Sequence, residues 1–350
     1  MDETSKDSVE LIVSSVRGRP LAMINVARTL LAPKGMIERA RALAEEAVAL
    51  APDDPEVFAR AGLLRSHGIG DWYWTMVQDE PRHELYAQAF RQLFTPGCTV
   101  LDIGAGTGLF AMLAAREGAG RVIACERNPA VAEAARRIVA LNGYADRVSI
   151  INKDSKDLQI GVDLDEPADV LLWDNLANNV LGAGAADTLA DARRRLIKPG
   201  AATIPVRAEI VVALVDDKRP QDRLMTVVSG FDMSPFNDFM ATNFTLKPHR
   251  HPRLSDAAVI FDLDFTDPTP LRPQTNTVAV TANQDGVVHG VAQWVRFHLT
   301  DKIVYDTSGD TVTAFGMQLH TLPAFRLKAT ETLTICGHHD CRATWFWVER

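Results

Sequence analysis

Asp102 and the three glycines that follow it, Gly104, Gly106 and Gly108, stand in the run Val100-Leu101-Asp102-Ile103-Gly104-Ala105-Gly106-Thr107-Gly108. Glycine adopts positive φ without penalty and lets a ligand approach the backbone closely. Thr99 to Leu101 reads as a buried strand and Leu109 to Arg116 as a helix, so the glycines occupy the turn of a strand–loop–helix unit. The spacing is G-x-G-x-G, which is neither the G-x-G-x-x-G of dinucleotide sites nor a P-loop. The next strand, Arg121 to Cys125, ends at Glu126 with Arg127 beside it. A carboxylate there can accept both hydroxyls of a ribose. Asp102, the glycines and Glu126 together predict a site for S-adenosylmethionine (SAM), with S-adenosylhomocysteine as the product.

The elements that must carry these residues follow from the pattern around them. Strands alternate with helices from Pro96-Gly97 to about Pro205, with Val100, Val122 and Val148 in three strands and Val170 to Trp173 in a fourth, which predicts a Rossmann-like α/β sheet. Lys198-Pro199-Gly200 reads as the stop of a helix that ends near Leu196. After Pro205 the texture changes. Glu209–Leu214, Val259–Phe265, Thr277–Ala282, Gly290–Leu299, Leu327–Ile335 and Ala343–Val348 read as strands of a β-barrel or sandwich. Lys218 to Leu254 reads as a helical or irregular insertion. Upstream, Met36 to Leu50 and Glu56 to Arg65 read as helices around Ala51-Pro52-Asp53-Asp54-Pro55, a layout like one tetratricopeptide unit. The expected divisions are 1–70, 71–205 and 206–350.

Composition narrows the classes. A chain of 350 residues, 47% hydrophobic, can bury a substantial core, and its net charge of -8 argues against nucleic acid as a general partner. Four cysteines without an extracellular framework, no signal-peptide pattern and no membrane-length apolar run predict a cytoplasmic protein away from membranes. Cys336-Gly337-His338-His339-Asp340-Cys341 lacks a second half-site and reads as a hairpin turn rather than a metal centre. His249-Arg250-His251 reads as surface, and Arg193-Arg194-Arg195 as a solvated helix face.

Met76-Val77-Gln78-Asp79-Glu80-Pro81-Arg82 with Tyr86 resembles the M-x-x-D-x-x-R-x-x-x-Y helix of the protein arginine methyltransferase family. Val100 to Phe110 resembles that family's first motif, Ile151 to Ser155 its strand beyond the cofactor loop, and Gly230-Phe231-Asp232-Met233-Ser234 its dimerisation arm. The resemblance covers most of the chain from Trp72 onward. It implies that Met76 and Arg82 meet the cofactor, Arg82 through the SAM carboxylate, and that Ser155 and Lys156 approach the adenine. It also implies a homodimer joined by an arm near 218–254. The N-terminal helices remain open between a cap on the catalytic domain and a surface for a protein partner.

The acceptor loop departs from the family. In Trp173-Asp174-Asn175-Leu176-Ala177-Asn178-Asn179-Val180-Leu181-Gly182-Ala183-Gly184, the Leu-Gly-x-Gly ending fixes the register. Asp174 then takes the first of the family's two glutamate positions and Ala183 the second, while Asn179 replaces a further acid. The family's Thr-His-Trp loop falls at Ala314-Phe315-Gly316, and Tyr73 stands where many members carry a histidine. Asp174, Asn179 and Asp79 are the expected catalytic residues, with Tyr73, Trp173 and Phe315 lining the acceptor. Carboxylates that pair with a guanidinium fix its plane and localise its charge. Arginine, free or in a small molecule, is the leading acceptor; arginine within proteins and a SAM-binding scaffold without turnover remain open.

Overall fold

The structure, a computed structural model, describes residues 3–174, 176–246, 251–309 and 314–349. His249 and Arg250 lie outside the described residues. The chain divides into two compact units, Met1–Tyr73 and Trp74–Arg350.

The first unit is helical: α1 (Glu3–Val16), α2 (Pro20–Val26), α3 (Ile37–Leu50) and α4 (Pro55–Arg65). Asp54 caps α4 by accepting the N–H groups of Glu56 and Val57, and Pro55 fills the first helical position, where its missing N–H costs nothing. Ala40, Ala44 and Ala47 of α3 are fully buried with Ala61 of α4, small side chains that suit close helix packing. Helix α5 (Trp72–Val77) runs across the boundary between the units.

The second unit opens with α6 (Glu80–Leu93). Strands β1 (Thr99–Ile103), β2 (Arg121–Cys125), β3 (Val148–Ile151), β4 (Ala168–Leu172) and β5 (Ile197–Ile204) follow, interleaved with α7 (Leu109–Arg116), α8 (Pro129–Leu141) and α9 (Ala185–Arg195). They pair in parallel in the order β3-β2-β1-β4-β5. Parallel strands covered on both faces must be apolar, and Val100, Leu101, Val122, Ala124, Leu171 and Leu172 are each 0% exposed. Lys198-Pro199-Gly200 does not stop α9, which ends at Arg195; it lies inside β5, with Gly200 at φ 77. Arg194 and Arg195 are not simply solvated, for both pair with Asp191.

The chain leaves the parallel sheet after Ile204 and enters antiparallel ones: β6 (Arg207–Val215), the short β7 (Val227–Val228) and β8 (Phe231–Asp232), β9 (Asn243–Leu246), β10 (Ala258–Asp264), β11 (Gln274–Thr281), β12 (Gly286–His298), β13 (Val304–Asp306), β14 (Met317–Leu327), β15 (Thr332–His339) and β16 (Thr344–Glu349). One sheet has the order β10-β6-β12-β14-β9, with β13 on β12, and a second the order β11-β15-β16.

One expectation changes here, one strand is unforeseen, and the choice left open for the insertion is decided. The single strand expected over Leu327–Ile335 is the end of β14 and the start of β15, separated by a turn with Thr330 at φ 70. Strand β14 escapes sequence reading because Pro323 interrupts it. The proline falls where the register with β12 shifts between Val288 and Gly290, so the ladder requires no donor from it. The insertion contains 3₁₀ turns at Gln221–Arg223 and Ser234–Phe239 and the β7–β8 hairpin, with no α-helix among its described residues. Pro220, Gly230 and Pro235 break any longer helix.

Candidate active site

Sheet order decides where a ligand can lie. Chain order reverses between β1 and β4, and open α/β sheets bind ligands in the crevice at the carboxyl ends of such strands. Asp102 of β1 pairs with Leu172 of β4, so the glycine turn and Asp174 emerge side by side.

Gly104, Gly106 and Gly108 take φ of 82°, 52° and 78°, the left-handed region that glycine adopts freely. The N–H groups of Gly104 and Ala105 both reach the Cys125 carbonyl at 3.0 Å, which extends the β1–β2 pairing into the turn. Glu126 then ties the turn from the other side. Its Oε2 accepts the Gly106 N–H at 3.1 Å and its Oε1 the Asn128 N–H at 2.7 Å. Each carboxylate oxygen keeps acceptor capacity beyond these bonds. Asp102 is 2% exposed, and its Oδ2 has no partner among the described residues. Burial, and secondarily the Glu126 charge, push its pKa up to about 7. Ser155 is buried at the start of a 3₁₀ turn capped by Asp154, while Arg127 and Lys156 are exposed.

The second wall comes from α6. Asp79 caps this helix through the Arg82 N–H at 3.2 Å. The other carboxylate oxygen accepts the Tyr305 hydroxyl at 2.5 Å and the Ala314 N–H at 2.8 Å, so it joins α6 to β13 and to the segment before Phe315. Burial, then Asp79, hold the Tyr305 phenol well above its usual pKa, so it is a hydrogen donor here. Arg82, 1% exposed, forms an ion pair with Asp174. Its guanidinium carbon faces the rings of Phe110, Tyr86 and Phe315 at 4.7, 5.4 and 5.5 Å. The Tyr86 hydroxyl donates to Asp174 Oδ1 at 2.7 Å, and burial pushes its pKa up to about 12. Met76 is half-buried and its carbonyl meets His83 Nε2 at 3.2 Å.

The structure therefore brings Asp79, Arg82, Asp174 and Phe315 into one cluster, and Asp102, the glycines and Glu126 into another beside it. Other expected residues have different surroundings. Trp173 is 1% exposed with its ring edge-on to Phe265 at 4.8 Å, which commits the ring to the core rather than to an acceptor. Asn179 Oδ1 accepts the Gly182 N–H and its Nδ2 donates to the Arg342 carbonyl, so its amide shapes the loop. Tyr73 belongs to the first unit and stacks on Trp72 at 3.9 Å. The residues 336–341 form the end of β15 and the start of a turn, where Asp340 accepts the N–H groups of Arg342 and Ala343. Sequence reading missed Phe110 and Tyr305 as members of the site. Phe110 lies at the end of the glycine motif and could have been found there; nothing local marks Tyr305.

The donor set fits SAM. Arg82 Nε is a buried donor without a partner among the described residues, suited to a carboxylate. Glu126 has acceptor capacity for ribose hydroxyls, and the positive-φ glycines leave the turn backbone open to close approach.

Comparisons with known proteins point to the same cofactor. Residues 100–200 match a methyltransferase domain model. The chain is 33% identical over 316 residues to an arginine N(omega)-methyltransferase of Streptomyces achromogenes subsp. streptozoticus, covering 86% of each chain. It is 30% identical over 264 residues to protein arginine N-methyltransferase 7 of Oryza sativa subsp. indica, covering 67% of this chain and 36% of that one. In fold it is similar to the PRMT1 enzyme–prozyme complex of Trypanosoma brucei solved with AdoHcy, at TM-score 0.70 and 22% identity over 81% of this chain and 100% of that one.

Proposed function

Because this chain belongs to the SAM-dependent arginine methyltransferase family, we propose that it methylates a guanidino nitrogen of arginine, free or in a small molecule. The Asp174 cluster is the observation that carries this reading. A carboxylate, a phenol and three aromatic faces already surround one guanidinium, that of Arg82. The same wall suits a planar cation of the same kind.

SAM, when bound, supplies an electrophilic methyl on a sulfonium. The rest is orientation by the chain's own residues. Arg82 would hold SAM by its carboxylate, Glu126 by its ribose hydroxyls, and Ser155 and Lys156 by its adenine, with Met76, Asp102, the glycine turn and Arg127 as further contacts. Asp174 accepts the N–H groups of the acceptor and localises its positive charge away from the attacking nitrogen. Tyr86 donates to Asp174 and keeps its plane fixed. Asp79 holds the Phe315 segment over this cluster through the Ala314 N–H. With alanine at position 183, Asp174 carries the carboxylate role that the family divides between two glutamates. A free amino acid brings its own carboxylate and so needs less charge from the loop.

Methylation of arginine within proteins is the second reading, favoured by the similarity to the rice enzyme, of which this chain spans about a third. Labelled SAM offered with free arginine and then with an arginine-rich peptide separates the two. Transfer to the peptide alone sinks the first reading, and SAM binding without transfer to any guanidine leaves a scaffold.

The remaining parts of the proposal rest on particular surfaces. Phe231, Phe236 and Phe239 of the insertion are 71%, 58% and 81% exposed, which suits an arm that buries itself on a second copy. A monomeric mass at micromolar concentration would refute that homodimer. Within 1–70, α3 and α4 form a tetratricopeptide-like pair able to bind a protein partner, and 71–205 and 206–350 act as the SAM and acceptor domains. Cys98, Cys125, Cys336 and Cys341 are free thiols, as a reducing cytoplasm would keep them. No helix of the described residues is long and apolar enough to cross a membrane.

A further inference from the structure

Gln293 lies in the middle of β12 with 0% exposure, an expensive place for an amide unless every bond is made. Its Nε2 donates to the carbonyl of Asn178 at 3.1 Å, within the loop that carries Asp174. That bond fixes which end of the amide is oxygen. Oε1 accepts the Thr344 hydroxyl at 2.8 Å and faces His320 Nε2 at 3.0 Å. An oxygen can only accept, so His320 presents Nε2–H. Burial lowers the His320 pKa to about 4, which keeps the ring neutral at physiological pH. The same loop residue is held a second time, because Asn178 Oδ1 accepts the Gly316 N–H at 3.2 Å. One buried amide thus joins β12, β14 and the start of β16, two different sheets, to the backbone of the acceptor loop.

Leucine or methionine would fill the space but leave the Asn178 carbonyl, the Thr344 hydroxyl and the His320 Nε2–H without this partner. We propose that Gln293, set by His320 and Thr344, is a positioning residue that fixes the Asn178 end of the acceptor loop and so the placement of Asp174. The inference rests on the proposed guanidine methylation for its kinetic meaning. It touches neither Glu126 nor the glycine turn, so it should act on the acceptor and leave the cofactor alone.

The test compares parent, Gln293→Met, Thr344→Val and Thr344→Ser as full-length protein. Three readouts are needed: methyl transfer to arginine, S-adenosylhomocysteine affinity by calorimetry, and amide hydrogen exchange over 174–184. Gln293→Met keeps volume and removes the donor to Asn178. Its acceptor kcat/KM should fall ~10–100-fold, with S-adenosylhomocysteine affinity within about twofold and loop exchange about tenfold faster. Thr344→Val should move both in the same direction by less, and Thr344→Ser, which keeps the hydroxyl, should restore them. Unchanged acceptor kinetics and loop exchange in Gln293→Met overturn the proposal. If Gln293→Met does not fold, the contrast between Thr344→Val and Thr344→Ser decides it by the same readouts. A parent that turns over no guanidine refutes the proposed function, while loop exchange still decides the role of Gln293.

Discussion

Glu126 makes its bonds to N–H groups 20 and 2 residues away, within β1, α7, β2 and the turns that follow the two strands. Asp79 bonds Tyr305 across 226 residues, and Asp174 bonds Tyr86 across 88. The glycine-turn part of the proposed cofactor site is thus a local device, built from one strand–helix–strand unit. The acceptor end is assembled from α6, the loop after β4 and two antiparallel sheets. A local device can be recognised from spacing and substituted one contact at a time. An assembled one depends on several segments arriving together, so a change in any of them reaches the same carboxylate.

The largest expected effect separates the two ends. Asp174→Asn keeps the shape and removes the charge that pairs with Arg82 and, in the proposed function, with the acceptor. Transfer to arginine should fall ~10²–10³-fold, the scale for removing a group aimed at the reacting centre. Radiolabel transfer measures it, and S-adenosylhomocysteine affinity should change far less. Equal losses in both would merge the two ends into one. Glu126→Ala is the mirror experiment. It removes the proposed ribose acceptor and the tie to Gly106, and cofactor affinity by calorimetry should weaken ~10–100-fold, as for one or two hydrogen bonds to a charged group. Unchanged affinity would take Glu126 out of the cofactor site.

Next in size is Tyr86→Phe. The ring and its stacking on Phe110 at 4.2 Å remain, and only the hydroxyl on Asp174 is lost. Transfer should fall about fivefold, the worth of one hydrogen bond of ~1 kcal/mol. A loss as large as that of Asp174→Asn would mean that the phenol itself touches the acceptor.

The same contrast explains what the sequence could tell. The glycine turn, Glu126 and the parallel strands were legible because each rests on neighbours in the chain: alternating elements, a turn that needs positive φ, a carboxylate at a strand end. Arg82 and Asp174 were legible as residues, but not their ion pair, because nothing in spacing brings a helix at 80–93 against a loop at 174. Tyr305 and Gln293 carried no mark at all. Each is one polar residue in a strand, and only the sheet order gives it a partner. Trp173 misled for the same reason: an aromatic at the end of a strand faces either the crevice or the core, and the choice depends on Phe265 of a later segment. Strand β14 was hidden by Pro323, which a bulge accommodates. The insertion was legible as apolar and as either helical or irregular, and the lack of an α-helix among its described residues follows from prolines in plain view.

The smallest effect concerns Asp102, and it tests how self-contained the cofactor end is. The carboxyl is buried with an oxygen that no described residue bonds, and its folded pKa is raised to about 7 from an ordinary 3.8. Below about pH 4 both folded and unfolded chains hold this proton, and it has no effect on stability. Between about 4 and 7 the unfolded chain releases the proton while the folded one keeps it, so stability falls as pH rises through this window. Above about 7 both are ionised and the penalty is complete. Asp102→Asn removes the ionisation and keeps the shape. Its Tm should match the parent near pH 4, rise above it progressively towards pH 7, and hold a constant gain of a few degrees beyond. Parallel Tm curves for the two proteins between pH 4 and 8 would show that Asp102 ionises in the folded state as freely as in the unfolded one. A hydrogen-bond donor or a cation on its unbonded oxygen would then be needed to explain an ionised Asp102 buried beside Glu126.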